Sequence, residues 1–308
     1  MKAALVREFG EPSAVEIAEV DDPLVGPDSV LVSVRAAGVN PVDWKVVAGG
    51  LRGAYPHHLP LIPGWDVAGV VERVGPAVTQ VAPGDRVMAY ARKDHVQNGT
   101  FAEKVAVPER AVARIPDGLG FAPAGALPLA GLTAEQLLDA VEVSKADTVL
   151  VHNAAGGVGS FAVQLAALRG ARVIGTASSG RHDYVRALGG EPVEYGEGLV
   201  QRVRDLATEG IDVVLDLIGG DALDTTPELL APGGRVASVI DPAKVQELGG
   251  RYVFVRPDAE TLARLGGYVA DGQVRVEVAE TFPLERTGEA LARNREGHTR
   301  GKIVVTVA

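Results

Sequence analysis

A run of small residues between an apolar strand and a helix is the clearest candidate for chemistry in this chain. Residues 154–159 read Ala-Ala-Gly-Gly-Val-Gly and follow the apolar run Val149–His152. Glycines let the backbone approach a phosphate, and the N–H groups that open a helix favour bound anions. This context predicts a pyrophosphate site, with Gly159 allowing close packing of helix and strand. Ala154 stands where the first glycine is usual, and a purely structural turn is the alternative. The predicted backbone contacts come from Ala155, Gly156, Gly157 and Val158.

The residues after the second predicted strand of this region bear on which dinucleotide binds. An acidic residue about 20 positions past the glycine turn binds the ribose hydroxyl of NAD, but Ala177 occupies that position here. Ser178, Ser179 and Arg181 follow, and hydroxyl groups and a guanidinium suit a phosphate. The missing acid and the added base favour NADPH, with Ser178 and Arg181 as contacts. A solvated loop arginine is the alternative reading of Arg181.

The elements around these residues alternate between strand and helix from about residue 145 to 256. Such alternation predicts right-handed βαβ crossovers and a doubly wound parallel sheet. The stretch 241–250 is short for a crossover, so no full helix is expected there. The predicted strands are Val149–His152, Arg172–Thr176, Val193–Glu194, Val213–Leu217, Val236–Ile240 and Tyr252–Val255. The predicted helices are Val158–Arg169, Gly180–Leu188, Leu199–Thr208 and Ala222–Leu230.

The first 118 residues have short β-rich runs broken by Gly, Pro and Asp, which predicts an antiparallel barrel or sandwich. Two later runs, Val274–Ala279 and Lys302–Val307, are again strand-like and are expected to return to this domain. We therefore expect a discontinuous domain of residues 1–118 and 257–308 that contains an inserted nucleotide-binding domain of residues 119–256. The early strand candidates are Ala3–Val6, Ser29–Val39, Val67–Val74, Arg86–Ala89 and Phe101–Val107.

Composition narrows the class of protein. The 308 residues are 46% hydrophobic and 23% charged, as in an ordinary globular enzyme. A net charge of −10 argues against nucleic acid as a partner, and the absence of cysteine excludes disulfides, thiolate metal sites and cysteine nucleophiles. There is no apolar run long enough to cross a membrane and no signal-peptide pattern, so we expect a cytoplasmic protein without a membrane partner.

Several motifs occur together in a recognisable order. They are GVNPVDWK (38–45), IPGWDVAGVV (62–71), PGDRV (83–87), ALPLAGLTA (126–134), VLVHNAAGGVG (149–159) and RGKIVV (300–305). Over essentially its whole length the chain resembles the zinc-free quinone oxidoreductase (zeta-crystallin-like) branch of the medium-chain dehydrogenase/reductase superfamily. The resemblance implies an α/β fold in which a Rossmann domain, a doubly wound parallel sheet, is inserted in a GroES-like β-rich catalytic domain.

Departures from the alcohol dehydrogenase branch concern zinc. Asn40 stands where that branch has a cysteine, and Gly64-Trp65-Asp66 replaces its Gly-His-Glu triplet. The segment Ala91–Thr100 takes the place of the four-cysteine lobe that holds structural zinc. Zinc needs three or four well-placed ligands. We therefore expect no metal at the family positions.

The resemblance also implies residue roles. Tyr195 should lie against the cofactor phosphate, with Thr133, Asn40 and Lys302 near the nicotinamide. Ile218 and Val255, at strand ends, should face the carboxamide or ribose. Tyr55 and the Asn40 amide are the candidate catalytic groups. Lys45 and Asp43 are further candidates, with a surface Asp–Lys pair as the alternative.

These roles imply hydride transfer from NADPH to a small electrophile, either a quinone or an activated C=C in an enone, alkenal or enoyl ester. Without a Lewis acid, polar groups near the acceptor oxygen would stabilise the developing enolate. The proton that completes the reaction could come from water. A non-catalytic NADPH-binding protein and a tailoring enoyl reductase of a biosynthetic cluster are the alternatives. A homodimer paired through the sheet edge near Tyr252–Val255 is also expected.

Overall fold

The computed structural model describes residues 1–308 and divides into two compact units. The first unit contains residues 1–132, 256–272 and 276–308, and the second contains residues 133–255 and 273–275. The strands are β1 (Lys2–Leu5), β2 (Glu16–Glu19), β3 (Ser29–Val39), β4 (His57–Ile62), β5 (Asp66–Val74), β6 (Arg86–Tyr90), β7 (Val96–Asn98), β8 (Lys104–Pro108), β9 (Val112–Arg114), β10 (Thr148–Val151), β11 (Arg172–Ala177), β12 (Glu191–Glu194), β13 (Ile211–Asp216), β14 (Leu230–Ser238), β15 (Arg251–Tyr252), β16 (Val278–Pro283) and β17 (Lys302–Thr306). The helices are α1 (Pro41–Val47), α2 (Phe121–Ala126), α3 (Pro128–Ala140), α4 (Gly157–Leu168), α5 (His182–Ala187), α6 (Leu199–Leu206), α7 (Asp221–Asp224), α8 (Thr226–Leu229), α9 (Pro242–Glu247), α10 (Ala259–Ala270) and α11 (Thr287–Glu296).

The second unit is built on one sheet of six parallel strands in the order β12-β11-β10-β13-β14-β15. Val149, Leu150 and Val151 of β10 are all fully buried, as expected for a parallel strand covered on both faces. The strand order reverses between β10 and β13. In doubly wound sheets this reversal is the place where ligands bind, at the carboxyl ends of the strands. The predicted doubly wound sheet is confirmed.

The first unit is organised around the long strand β3, which pairs antiparallel with β5, β8 and β17. The pairing register sets the end of β3 beside the starts of β5 and β17. Ile303 is opposite Val39, Ala36 is opposite Ala68, and Asp66 is opposite Tyr90 of β6. The first turn of α1, the start of β17 and the β5–β6 pair therefore meet at one end of this sheet.

The structure divides the chain at a different point from the sequence-based boundary. The first unit extends to Leu132 rather than to residue 118, because α2 packs against β3 and β5. Residues 273–275 belong to the second unit, where the Gln164 side chain bonds both the N–H (2.7 Å) and the C=O (3.1 Å) of Arg275. The strand expected from Val274 begins only at Val278.

Several helices were not expected from the sequence. They include α1, α10 and α11 of the first unit. The connection 241–250, for which no full helix was expected, contains the six-residue helix α9. Pro242 opens this helix, and the Asp241 side chain caps it by accepting the Lys244 N–H at 2.9 Å. No helix of the chain combines the length and apolar character that a membrane span requires.

Candidate functional site

The glycine turn lies directly after β10, at the point where the strand order of the second unit reverses. Gly156 is the N-cap of the twelve-residue helix α4, so the first N–H groups of that helix open toward the turn. A Cβ on Gly159 would lie 2.0 Å from the Asn153 carbonyl oxygen, which shows how closely helix and strand approach. Gly157 and Val158 are half-buried, whereas Ala155 and Gly156 are buried. This open helix start fits the pyrophosphate of a dinucleotide.

The structure explains the alanine at the first position of the turn. Ala154 is fully buried, and its N–H donates to the Thr176 carbonyl of β11 at 2.9 Å. Directly beside it, Gly175 of β11 has no side chain, and a Cβ there would lie 2.5 Å from the Ala154 Cβ. The space that a glycine usually leaves in the turn is therefore provided by a glycine in the neighbouring strand.

The predicted phosphate-binding residues lie at the carboxyl ends of two neighbouring strands. Ala177 is paired with Glu194 in the β11–β12 register, so Ser178 and Tyr195 follow strands that end side by side. Ser178 begins the short 3₁₀ turn Ser179–Arg181, and its carbonyl accepts the Arg181 N–H at 2.8 Å. Tyr195 is 56% exposed, which is unusual for an aromatic ring.

Other large apolar side chains are also exposed at this edge of the sheet. Ile218 after β13 is 53% exposed, Ile240 after β14 is 44% exposed, and Phe254 after β15 is 44% exposed. Val255, by contrast, is buried. Apolar groups at the carboxyl ends of parallel strands are typical of a ligand surface. Together with the open helix start, they fit a bound dinucleotide.

In the first unit, Asn40, Asp43, Asp66 and Lys302 form a group that we call the buried cluster, each being 4% exposed or less. Lys302 Nζ donates to Asn40 Oδ1 and, at 3.0 Å, to the Val39 carbonyl. Asn40 Nδ2 donates to Asp66 Oδ2 at 2.8 Å, and Lys302 Nζ lies 3.9 Å from that same oxygen. The Asn40 amide thus links the ammonium to the carboxylate.

Two further carboxyl oxygens of the cluster hold the starts of two helices, while Asp43 Oδ1 has no hydrogen-bond partner. Asp43 Oδ2 accepts the Asn40 N–H at 2.7 Å, which closes a capping box at the start of α1. Asp66 Oδ1 accepts the Leu129 N–H of α3 at 2.7 Å. The surface Asp–Lys pair considered for Asp43 and Lys45 is wrong, because Asp43 is fully buried. Lys45 instead lies over the Trp44 ring, 5.6 Å from its centroid.

Burial controls the ionisation of this cluster. It raises the pKa of Asp43 to about 8, against the lowering effect of the Asn40 N–H bond and the Lys302 charge. It also raises the pKa of Asp66 to about 6, against the Lys302 charge and the hydrogen bonds from Asn40 and Leu129. Burial lowers the pKa of Lys302, while the charges of Asp66 and Asp43 act to raise it. Burial therefore favours the protonated form of both acids, and the Lys302 charge with two hydrogen bonds favours the ionised form of Asp66 more than that of Asp43.

Tyr55 lies in the segment before β4 and contacts a guanidinium. Arg92 Nη1 donates to the Tyr55 hydroxyl oxygen at 2.8 Å. The same guanidinium lies 5.8 Å from the centre of the Tyr55 ring. Both side chains are half-buried. A charge-assisted bond to the phenol oxygen polarises the O–H group and strengthens it as a hydrogen-bond donor.

Tyr90 is a buried neighbour of Asp66. It is 1% exposed, faces Asp66 across the β5–β6 pair, and packs edge-to-face against Trp65 with ring centres 6.2 Å apart. Burial raises its pKa, Arg92 acts to lower it, and Asp66, Tyr55 and Asp43 add to the increase. The buried cluster, Tyr90 and the Tyr55–Arg92 pair are thus electrostatically coupled, and we call them together the polar region of the first unit; the Tyr90 hydroxyl itself has no hydrogen-bond partner.

The donor set does not resemble a metal site. No three His, Asp or Glu side chains of the chain converge as metal ligands, and cysteine is absent. Asn40, at the position of the cysteine of the alcohol dehydrogenase branch, bonds to Lys302 and to Asp66, and Trp65 stands at the position of the histidine in the Gly-His-Glu triplet. Zn²⁺ is bound in proteins by Cys, His, Asp and Glu side chains, and an ammonium group has no lone pair with which to bind a metal ion.

Comparison with known proteins places the chain in a family. Residues 26–117 match the alcohol dehydrogenase GroES-like domain, and residues 189–305 match the zinc-binding dehydrogenase family. The NADPH-dependent alkenal/one oxidoreductase, chloroplastic, of Arabidopsis thaliana is 35% identical over 318 residues, which cover 99% of this chain and 79% of that protein. The quinone oxidoreductase from Coxiella burnetii superposes with a TM-score of 0.91 at 32% identity, covering 100% of this chain and 99% of that one.

The chain belongs to the zinc-free quinone oxidoreductase branch of the medium-chain dehydrogenase/reductase superfamily. The resemblance inferred from its motifs is thereby confirmed, as is the fold class. A mycobacterial protein solved in complex with NADPH also superposes on it, with a TM-score of 0.87, 29% identity and coverage of 99% of this chain and 100% of that one. As a member of this branch, the chain is an oxidoreductase that uses a nicotinamide cofactor.

Within this oxidoreductase, the predicted site residues fall into two sets. Asn40, Tyr55 and Lys302 are part of the polar region of the first unit. The turn residues, Ser178, Arg181, Tyr195, Ile218 and Val255 lie on the second unit, and Thr133 is buried on α3. Sequence reasoning missed Asp66 and Arg92 as members of the site. Asp66 had a signal, since it is a lone acid inside the apolar run 62–71.

Proposed function

We propose that this oxidoreductase uses NADPH to reduce a quinone or an activated C=C of an enone, alkenal or enoyl ester. The observation that carries the choice of NADPH is the side-by-side position of the Ser178–Arg181 turn and the exposed Tyr195, with no acid at position 177. A guanidinium, a hydroxyl and an aromatic face suit a 2′-phosphate and its adenine, whereas NAD enzymes place a carboxylate there. A relative named as NADPH-dependent supports the same choice.

A bound nicotinamide would supply the hydride. When an enone accepts hydride at its β-carbon, negative charge collects on the carbonyl oxygen, and a preorganised donor near that oxygen lowers the barrier. We assign this role to the Tyr55 hydroxyl, which Arg92 polarises from a half-buried position. For a quinone the same hydroxyl would stabilise the quinol oxygen.

Asn40 has a different place in this proposal from Tyr55. Both ends of its amide are bonded within the protein, to Lys302 and to Asp66. We propose that Asn40 and Lys302 form a rigid surface next to the bound nicotinamide. Their hydrogen bonds keep this end of the β3 strand in one geometry.

The first test compares two arginines of one segment. Arg181→Glu should raise KM for NADPH at least tenfold while leaving KM for NADH within about twofold, because it places a carboxylate beside the 2′-phosphate. Arg186→Glu is the matched control, since Arg186 pairs with Asp183 on the surface of α5. The two substitutions change the net charge equally. Equal, small effects of both variants on NADPH would overturn the assignment.

The second test identifies the acceptor. NADPH oxidation is followed against a panel of quinones, alkenals and enones. We expect turnover with at least one class. Tight NADPH binding without turnover of any member would instead support a non-catalytic NADPH-binding protein.

Two further expectations belong to this proposal. A homodimer would pair through the outer strand β15, which ends the six-stranded sheet and precedes the exposed Phe254. Pairing there would cover an open sheet edge. The cytoplasmic location remains a prediction.

A further inference from the structure

Arg202 of α6 is placed at the edge of the sheet where the cofactor phosphate is proposed to bind. Its Nε and Nη2 donate to the Glu194 carbonyl at 3.1 and 2.9 Å, and Nη2 also reaches the Tyr195 carbonyl at 3.4 Å. These two carbonyls belong to the last residue of β12 and the first residue after it. The guanidinium therefore holds the backbone from which the exposed Tyr195 ring projects.

The charge of Arg202 has no acidic partner. Its hydrogen bonds are to backbone oxygens, and no carboxylate lies within 4 Å of it. This differs from other arginines of the second unit in this acidic chain. Arg172 bonds to Glu191 at 2.7 Å, and Arg204 lies 3.7 Å from a Glu228 oxygen. An unneutralised guanidinium raises the positive potential around it, which favours an anion.

The position of this charge is fixed by the sheet. Ala177 and Glu194 are paired in register, so the turn that carries Ser178 and Arg181 begins beside the backbone that Arg202 holds. Nη1 of Arg202 makes no hydrogen bond within the protein. Arg181 and Arg202 therefore approach the same strand ends from two different elements, the 3₁₀ turn and α6.

We propose that Arg202 is a specificity-determining residue for the 2′-phosphate of NADPH, acting both as a second positive charge and by fixing the backbone that presents Tyr195. This inference rests on the proposed use of NADPH. It assigns selectivity to a residue 25 positions beyond Ala177, outside the loop that follows β11. Its charge and its two carbonyl contacts make separate, measurable contributions.

The test measures binding by calorimetry with 2′,5′-ADP and with ADP as probes, and with NADPH and NADH. Arg202→Met should weaken 2′,5′-ADP and NADPH roughly 10- to 100-fold, the effect of losing a charged hydrogen bond, and change ADP and NADH by less than about threefold. Arg204→Met is the matched control on the same helix and should change none of the four. Arg202→Lys keeps the charge but cannot bridge two carbonyls as a fork, so it should give an intermediate loss.

A double-mutant cycle with Tyr195→Ala tests the positioning role. If Arg202 acts partly through Tyr195, Arg202→Met should weaken NADPH binding less in the Tyr195→Ala background than in the wild type.

Equal losses of affinity for NADPH and NADH in Arg202→Met, or a loss in melting temperature alone, would overturn the inference while leaving the use of NADPH intact. A wild-type protein that binds ADP as well as 2′,5′-ADP would overturn the proposed cofactor itself. Should Arg202→Met fail to fold, Arg202→Lys provides the same test: its affinity for 2′,5′-ADP should fall more than its affinity for ADP.

Discussion

Lys302 is the basic member of a cluster that otherwise consists of two carboxyl groups and an amide. Asn40 stands where the alcohol dehydrogenase branch carries a cysteine, and the Lys302 ammonium lies 3.9 Å from Asp66 Oδ2. Lys302 thus supplies the one positive charge of this cluster. It can balance charge there, but it offers no open coordination position to a substrate.

Removing the Lys302 charge should destabilise the fold. Lys302→Met leaves the buried Asp66 carboxylate without its cation, a change that typically costs about 3–5 kcal/mol. Urea unfolding would measure this loss. Lys244→Met is the control, since Lys244 pairs with Asp224 at 2.8 Å on the surface, where an ion pair contributes little to stability. If Lys302→Met were as stable as that control, the Lys302 ammonium would not stabilise the buried Asp66 carboxylate.

Tyr55 should matter for turnover rather than for folding. Tyr55→Phe removes the hydroxyl polarised by Arg92, so kcat should fall about 10- to 100-fold with the dissociation constant of NADPH unchanged. Steady-state kinetics with the best acceptor of the panel, together with NADPH titration, would check this split. Tyr268→Phe, on α10, provides a control tyrosine outside the polar region. Unchanged kcat in Tyr55→Phe would remove this hydroxyl from the mechanism.

At the scale of elements, the glycine turn and β11 share their space. The Ala154 side chain fills the room left by Gly175, and Val185 of α5 closes the same space, since a Cβ on that glycine would lie 3.0 Å from the Val185 side chain. The turn can therefore carry alanine at its first position only while β11 carries glycine at this point. The alanine at position 154 can therefore be interpreted only together with the glycine at position 175.

The close packing of Ala154 against Gly175 can be tested with a pair of compensating substitutions. Gly175→Ala should displace the turn, costing about 1–3 kcal/mol in stability and weakening NADPH binding. Adding Ala154→Gly in the same chain should restore much of both, because it returns the missing space. Thermal unfolding and NADPH titration of the two single variants and the double variant give the answer. If the losses in stability and in NADPH affinity simply add in the double variant, Ala154 and Gly175 do not share this space.

Elements that are buried on both faces were the ones that sequence reasoning predicted well. The parallel strands around Val149, Ile174 and Val214 are continuous apolar runs, and such runs are hard to place anywhere but inside a covered sheet. The short helix α9 was not foreseen, since it depends on one proline and one capping aspartate. The contact of Asp66 with Lys302 could not be foreseen either, because it depends on the order and register of β3, β5 and β17.

At the scale of the whole molecule, the buried acids make stability depend on pH. The pKa of Asp43 rises from 3.8 when exposed to about 8 in the folded protein, and that of Asp66 rises to about 6. For each acid, between its exposed pKa and its folded pKa, the folded state binds more protons than the unfolded state. The free energy of unfolding therefore falls as the pH rises through that range. The lowered pKa of Lys302 acts in the opposite direction, but only between its folded pKa and 10.5.

The contribution of Asp43 can be isolated. From pH 5 to pH 8 the wild-type free energy of unfolding should fall by up to about 1.4 kcal/mol per pH unit more than that of Asp43→Asn, which has no proton to lose. Urea unfolding of both proteins at four pH values would show this difference. Asp183→Asn, at a fully exposed position, should follow the wild type. Parallel curves for wild type and Asp43→Asn would rule out the proposed titration.

The pairing of β3 with β17 has a consequence for how the chain folds. Lys302 bonds to Val39 across 263 positions, and the whole second unit lies between the two strands in the chain. Closing so long a loop in a disordered chain is entropically costly and slow. If residues 133–255 collapse into their parallel sheet first, the intervening stretch shortens and the two strands meet more readily. The buried cluster would then be among the last parts of the molecule to form, and reductase activity should recover later than the far-ultraviolet circular dichroism signal during refolding from urea.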